Sequence, residues 1–436
     1  MALTTFDQIL PVTIDVLKKY KDSFSLIDSL LVNRDLNGRV RLIADAALKS
    51  NDGARSLLGD LSRDLREALG PHGSPAESFV LFEEDLQDAI GDDPVFPLEE
   101  IPSVRVIDRL AAEGTWSSIA SSSPGPPRLV FYSVKGGVGR STALAVSAWA
   151  LAQKGKRVMV MDLDLESPGL SSALIPIDRH PEFGIVDWLL EDLVNNTEPV
   201  FEHMVSRSEL SRDGDILVVP AHGRTPGEYV SKLGRVFMPK LQENGHRESW
   251  SSRLSRLLKQ LEIRWKPDVI LVDSRAGIDE IASGCVTSLG ATLILLFASD
   301  SAQTWTSYRI LFDHWGRAGL IEKIRENLQI VGAMLPETGT REYFSGLREN
   351  SCDLFTQTMY DEVPPGKIAG DRWNFEEYDD IAPHYPWTIR WNRGFSMLSS
   401  LHERLDEIDN GEVDLVFGPL VKNIFSRLQS EELRNG

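Results

Sequence analysis

Residues 129–142 read LVFYSVKGGVGRST, and the architecture of the chain follows from them. The first five residues form a short apolar run suited to a buried strand, and residues 143–153 (ALAVSAWALAQ) continue as a helix. Between the two lie Gly136, Gly137 and Gly139. A glycine-rich turn that opens a helix presents unpaired backbone N–H groups together with the positive end of the helix dipole, a pairing suited to a polyphosphate. Lacking Cβ atoms, the glycines let the backbone approach phosphates closely. The Ser141 hydroxyl is placed to ligate Mg²⁺, and Thr142 to reach an α-phosphate. Lys135 and Arg140 add two cations to the same loop.

On the carboxyl side, apolar runs recur at 157–161 (RVMVM), 215–219 (DILVV), 268–272 (DVILV), 292–297 (TLILLF) and 328–333 (LQIVGA), most of them separated by helical stretches. Buried strands alternating with helices predict a parallel sheet covered on both faces, with ligands at the carboxyl ends of its strands. On the amino side, residues 121–127 (SSSPGPP) read as a linker, because proline continues neither a helix nor a central strand. Residues 1–120 then form a small α/β interaction module. Its helices are expected at 6–20 and 54–69, and its strands at 39–47 and 78–82. Leu57, Leu58, Leu61, Leu65 and Leu69 share one face of the second helix. The acidic run at 83–100 reads as a solvated surface.

The chain has 436 residues, with 46 basic and 65 acidic side chains and a formal charge of −19. At 42% hydrophobic and 25% charged residues, disorder along the whole length is excluded. No apolar run reaches the roughly 18 residues of a membrane span. The opening MALTTFDQILPVTIDVL has no basic region ahead of its apolar stretch, so a secretory leader is not expected. The two cysteines, Cys285 and Cys352, supply neither a disulfide framework nor a cysteine-based metal site, which fits a cytoplasmic protein. The acidic balance argues against wholesale coating of nucleic acid.

On these residues the sequence resembles the deviant Walker A ATPases typified by ParA and MinD, within the SIMIBI class of P-loop NTPases, in a subtype whose loop reads KGGVGR. The resemblance implies an α/β P-loop NTPase with a mostly parallel sheet flanked by helices on both faces, occupying 128–436 after the small N-terminal α/β module. It implies that Lys135 is the signature lysine that reaches across a nucleotide-sandwich dimer to the partner's ATP. Gly136, Gly137, Val138, Gly139, Arg140, Ser141 and Thr142 would wrap the phosphates. Arg140 stands where the family usually has lysine. It keeps the charge and offers a planar fork, but it is larger. Binding is expected to survive the change, and the hydrolysis rate is the property most exposed to it.

The resemblance extends along the chain. Residues 158–170 (VMVMDLDLESPGL) end a strand in the Asp-x-Asp of switch I, where Asp164 would orient the attacking water and Asp162 would help hold Mg²⁺. Residues 266–277 (KPDVILVDSRAG) match Walker B and switch II, with Asp273 holding Mg²⁺ through water and the Gly277 N–H sensing the γ-phosphate. Arg275 reads equally well as a charge stabiliser or as an ordinary salt-bridge partner. Residues 291–304 resemble the strand and loop ahead of a long helix, expected at 305–317. Residues 359–365 (MYDEVPP) resemble a late strand ending beside the adenine, which makes Pro364 a base-pocket candidate. Residues 330–337 (IVGAMLPE) lack the family's asparagine, so adenine over guanine rests on the resemblance alone. The catalytic candidates are therefore Lys135 and Asp164, the metal candidates Ser141, Asp162 and Asp273, and the cofactors ATP and Mg²⁺.

Related subgroups are excluded by what they require. Metal-cluster carriers need paired cysteines, tyrosine autokinases carry a tyrosine-rich tail, and arsenite-pump ATPases are two-halved. MinD ends in an amphipathic membrane helix. Here residues 415–428 place Leu420, Val421, Ile424, Phe425 and Leu428 on one face with few flanking cations, so a helix packed on the sheet is expected instead. Basic stretches at 224–240 and 247–264 raise the question of DNA. They read as solvated helix faces, with Leu254, Leu257, Leu258 and Leu261 buried. Residues 366–393, with Trp373, Trp387 and Trp391, read as an insertion that forms a packed flap over the site or a protein-binding surface. The resulting expectation is a slow ATPase switch, a homodimer around ATP–Mg²⁺ that regulates a partner protein through the N-terminal module or the insertion. Loops of this type also resemble those of bacterial defence and signalling systems. A hydrolysis-poor nucleotide sensor and a ParA-like DNA partition ATPase are the alternatives.

Overall fold

The computed structural model describes residues 4–91, 93, 95–98, 101–109, 116–210, 213–242, 247–363, 370, 372–395, 401–402 and 410–435. Its contacts divide into two compact units, residues 1–115 and 116–436.

The first unit is built on five strands, β1 (Leu30–Arg34), β2 (Val40–Asp45), β3 (Val80–Glu83), β4 (Val95–Pro97) and β5 (Val104–Asp108). They lie in the order β3-β2-β1-β5-β4. The pairs β1/β5 and β2/β3 are parallel, whereas β1/β2 and β4/β5 are antiparallel. Helices Ile9–Lys18 and Asp52–Leu69 accompany the sheet, and the Asn51 side chain caps the second by accepting from the Ala54 N–H. Leu57, Leu58, Leu61, Leu65 and Leu69 are all buried, as their spacing requires. Strands β1, β4 and β5 were not foreseen. In β1 the polar Asn33 is buried by accepting a bond from Arg109 Nε at 2.9 Å, and Arg34 pairs with Asp108 at the end of β5. Within the acidic run lies one short helix, Leu86–Ile90.

The second unit contains β6 (Arg128–Ser133), β7 (Arg157–Asp162), β8 (Ser206–Arg207), β9 (Asp215–Val219), a two-stranded ribbon of β10 (Lys240–Leu241) and β11 (Arg247–Glu248), then β12 (Val269–Asp273), β13 (Leu293–Ala298), β14 (Leu328–Leu335) and β15 (Trp387–Arg390). The large sheet runs β15-β14-β13-β6-β12-β7-β9-β8. Every neighbouring pair in it is parallel except β8/β9. Side chains alternate between two cores, so that Val130 and Tyr132 of β6 face one and Leu129 and Phe131 the other. This is the α/β P-loop NTPase arrangement, with helices over both faces of a mostly parallel sheet.

Two expectations change, and a third holds. The 121–127 stretch lies along the second unit. Ala120 N–H donates to the Thr287 carbonyl at 2.7 Å and Ser123 N–H to that of Gly290 at 3.0 Å. Its prolines prevent a regular element, yet the Gly125 N–H still finds the Ser123 hydroxyl at 3.1 Å. Residues 359–363 form no strand, because Met359 ends the helix Thr340–Thr358, and Pro364 lies outside the described residues. The strand beside β14 is instead β15, drawn from the segment read as an insertion. Finally, the helix Asn410–Asn435 buries Phe417, Leu420, Ile424 and Leu428 in the core that also holds the helix Arg140–Ala152. Its apolar face is thus used inside the fold. Among the described residues no helix is long and apolar enough to cross a membrane.

Candidate functional site

The carboxyl end of β6 runs into the glycine loop, and the helix Arg140–Ala152 follows. Gly137 and Gly139 both adopt φ +76°, a left-handed conformation that favours glycine. A Cβ built at either, or at Gly136, would meet nothing within 4 Å, so the loop presents an open cradle. It forms one end of a cleft of about 640 Å³, within the usual size of ligand pockets. Ser133, Gly136, Gly137, Val138, Gly139, Arg140, Ser141 and Thr142 line this end, with Asp164, Ser167, Arg275 and Ala276 opposite. The other end is apolar and aromatic, made by Met334, Ile389, Trp391, Phe395 and Phe417 beside Arg390 and Asn392.

Behind the cradle, Asp162 and Asp273 end β7 and β12 as register partners, and both are buried. Asp162 Oδ2 accepts from Ser171 Oγ at 3.2 Å and from its N–H at 3.4 Å, while Oδ1 has no hydrogen-bond partner among the described residues. Burial, reinforced by the charge of Asp273, pushes the Asp162 carboxyl up to about 7. Asp164, half-buried on the following loop, is also raised, chiefly by burial.

Arg140 is engaged with these carboxylates. Its Nε donates to Asp273 Oδ1 at 2.7 Å, Nη2 to Asp164 Oδ2 at 3.2 Å and Nη1 to Ser133 Oγ at 3.3 Å. Burial alone would lower its pKa, but the two carboxylates outweigh burial and raise it. The planar fork expected to meet phosphate oxygens here spans two acids, a task that a lysine point charge would not perform. Lys135, by contrast, is exposed and has no ion-pair partner among the described residues. The Gly277 N–H donates to the Ser133 carbonyl at 2.9 Å, and the Gly277 carbonyl accepts from Tyr132 Oη at 2.9 Å. Arg275, left open by the sequence, bridges the loops after β7 and β12, with Glu166 at 2.5 Å and Asp279 at 3.3 Å.

The structure thus brings the glycine loop, Ser141, Thr142, Asp164 and Arg275 to one cleft, with Asp162 and Asp273 behind it. The apolar end was foreseen only as a flap of the 366–393 segment over the site, without Met334, Phe395 or Phe417. Its clearest sequence signal is the WTIRWN stretch at 387–392. A second signal is structural only: Met334 has φ +56°, rare for a side chain of this kind, where β14 shifts register toward β15. The tryptophans of that region divide their roles. Trp373 packs edge-on against Tyr360 and Phe375, whereas Trp391 is 40% exposed at the cleft.

Most of the cations noted at 224–264 have partners within the chain, some buried and some at the surface. Arg253 is fully buried and donates to Asp192, which also receives Lys240 and Arg256. Lys232 pairs with Asp187 and Arg264 with Glu202, and Arg224 donates to the His180 carbonyl.

Residues 129–366 match the CobQ/CobB/MinD/ParA nucleotide binding domain family. The chain belongs to this family. The ParA/MinD-type fold and the nucleotide-binding character of residues 129–366 follow from that membership. No curated relative matches the chain significantly. Among solved structures it is similar to pNOB8 ParA bound to nonspecific DNA, at 17% identity over 70% of this chain and 99% of that one, with a TM-score of 0.45. It is also similar to the Pyrococcus furiosus cell division ATPase MinD, at 19% identity over 69% and 98% of the two chains and a TM-score of 0.42. A third is cobyrinic acid a,c-diamide synthase from Mycobacterium smegmatis with bound ATP analogue and magnesium, at 17% identity over 55% and 86%, with a TM-score of 0.36.

Proposed function

We propose that this chain is an ATP-dependent molecular switch, which binds ATP with Mg²⁺, hydrolyses it slowly, dimerises around it and regulates a partner protein. One observation carries the reading: a single cleft joins an open cradle of glycine N–H groups to an aromatic end, with paired strand-end carboxylates behind the cradle. The cradle suits a polyphosphate and the aromatic end a nucleobase. Trp391 is the stacking surface in this scheme, with Asn392 a polar side chain beside it.

The residues present fit a divalent cation. Asp162 Oδ1 is buried without a partner, and Ser141, Asp162 and Asp273 offer the hard oxygen donors that Mg²⁺ takes. Among the described residues no group of three or more His, Cys, Asp or Glu side chains is arranged to hold a metal, so the nucleotide's own oxygens must complete the set. The bound cation would neutralise charge on the phosphates. Asp164 orients the attacking water, and Lys135, exposed on the loop, is free to reach a second copy's nucleotide. Intrinsic turnover in such switches is as slow as roughly 10⁻⁴–10⁻² s⁻¹ until a partner completes the site. Tyr378 and Ile381, 70% and 82% exposed in the tryptophan-bearing segment, offer a surface for that partner. The pairing of Lys240, Arg253 and Arg256 with Asp192 disfavours the DNA-partition alternative.

A second reading has its own support. The engagement of Arg140 with Asp164 and Asp273 favours a hydrolysis-poor nucleotide sensor, since it occupies the group assigned to orient water. Mass in solution with and without ATP–Mg²⁺, paired with phosphate release by wild type and Arg140→Lys, separates the two. Asp164→Ala is expected to trap an ATP-bound dimer, and monomers at saturating ATP overturn the switch. Clear ATP binding without phosphate release above background supports the sensor.

A further inference from the structure

Asp162 and Asp273 end β7 and β12, Asp164 lies on the loop after β7, and the Arg140 guanidinium contacts Asp273 and Asp164. The pairing is well enclosed: the Arg140 side chain is 7% exposed and that of Asp273 2%. The glycine cradle in front of it has open space at each of its glycines. The cation at the first helical position is therefore engaged with the metal-site acids.

We infer that Arg140 is a displaceable counter-ion whose guanidinium and a divalent cation compete for Asp273, so that metal enters the site only together with a polyphosphate that draws the guanidinium off the carboxylates. This rests on the nucleotide reading given above. A guanidinium 2.7 Å from Asp273 repels a second cation at the same carboxylate, and the burial of both side chains weakens solvent screening. Arginine cannot yield by losing its proton, so it must move. Phosphate oxygens are the natural alternative partners for its planar fork. Once Arg140 has moved, Asp164 is released in the same step, because one side chain holds both acids. Metal entry and liberation of the water-orienting group are thereby a single event. Lysine at this position has no fork and would leave one of the two acids free in either state.

The test uses the full chain and Mn²⁺ alone as the probe, followed by electron paramagnetic resonance. Without nucleotide, wild type is expected to bind Mn²⁺ about tenfold more weakly than Arg140→Gln, or weaker still, with Arg140→Lys between them. Saturating ATP is expected to bring wild type level with the variants. Equal Mn²⁺ affinities of the three chains without nucleotide overturn the inference. Should Arg140→Gln fail to fold, wild type against Arg140→Lys carries the same comparison. A fluorescent ATP analogue titrated in the presence of Mg²⁺ is read separately. Its failure to bind sinks the nucleotide reading, whereas its binding alongside equal Mn²⁺ affinities sinks only the role of Arg140.

Discussion

Arg140 Nε and Asp273 Oδ1 lie 2.7 Å apart, although 133 positions separate the two residues in the chain. The bond ties the first turn of the helix after the glycine loop to the end of β12. It is a buried pair, and removing one partner of such a pair leaves the other charge uncompensated. Asp273→Ala is expected to destabilise the chain by about 3 kcal/mol, the low end of the range for buried pairs because Asp164 remains as a second partner. Urea unfolding measures it, and a loss within about 0.5 kcal/mol of wild type, as at an ordinary surface site, refutes it.

Asp162 makes stability depend on pH. Its folded pKa of about 7 lies above the ordinary value of 3.8. A carboxyl raised in this way contributes stability that is fully present below the unfolded pKa and is lost as pH rises through the folded one. In the presence of a chelator, stability is expected to fall between about pH 4 and 7, by up to about 1.4 kcal/mol per pH unit from this group. Asp162→Asn flattens that portion of the curve. The same slope in the variant assigns it to other residues.

Trp391 tests the aromatic end of the cleft. Stacking of a base on an aromatic side chain is worth roughly 1–3 kcal/mol. Trp391→Ala is expected to weaken ATP binding by about tenfold, measured by calorimetry, while leaving inorganic triphosphate binding unchanged. Equal loss for both ligands would place the defect at the phosphate end.

Asp192 is the hub of the basic region, receiving Arg253, Arg256 and Lys240. Asp192→Ala strands the fully buried Arg253 and is expected to cost about 3–5 kcal/mol in denaturant unfolding. In the wild type these cations are committed internally, so any retention of duplex DNA is expected to decline only shallowly with salt. A steep, ATP-dependent retention reverses that expectation.

Much of the second unit was legible in the sequence because its central strands are buried on both faces. Runs such as DVILV and TLILLF at β12 and β13 therefore carry no ambiguity of alternation. The edge strand β15 was not legible. Of Trp387–Arg390 only Ile389 is buried, so the strand hides among aromatics and charges. The same contrast holds in the site. The phosphate end is local in sequence and announces itself through glycine spacing. The aromatic end is assembled from Met334, residues 389–395 and Phe417, and no local pattern links them. Nor can a sequence show which way an arginine turns when both phosphate and carboxylate are within its reach.

Trp116 sets where the chain can be cut. It precedes the Ser/Pro/Gly stretch, yet it packs against Tyr132 of β6 at 5.8 Å between ring centroids and against Trp315 at 6.1 Å, with only 9% of its surface exposed. A truncation at residues 121–127, where composition invites one, would remove an indole from the wall behind the glycine loop's own strand and leave a hole there. An amino terminus placed just ahead of Trp116 keeps that wall whole. For dissecting the two units, the usable scissor point is thus set by one aromatic ring rather than by the prolines.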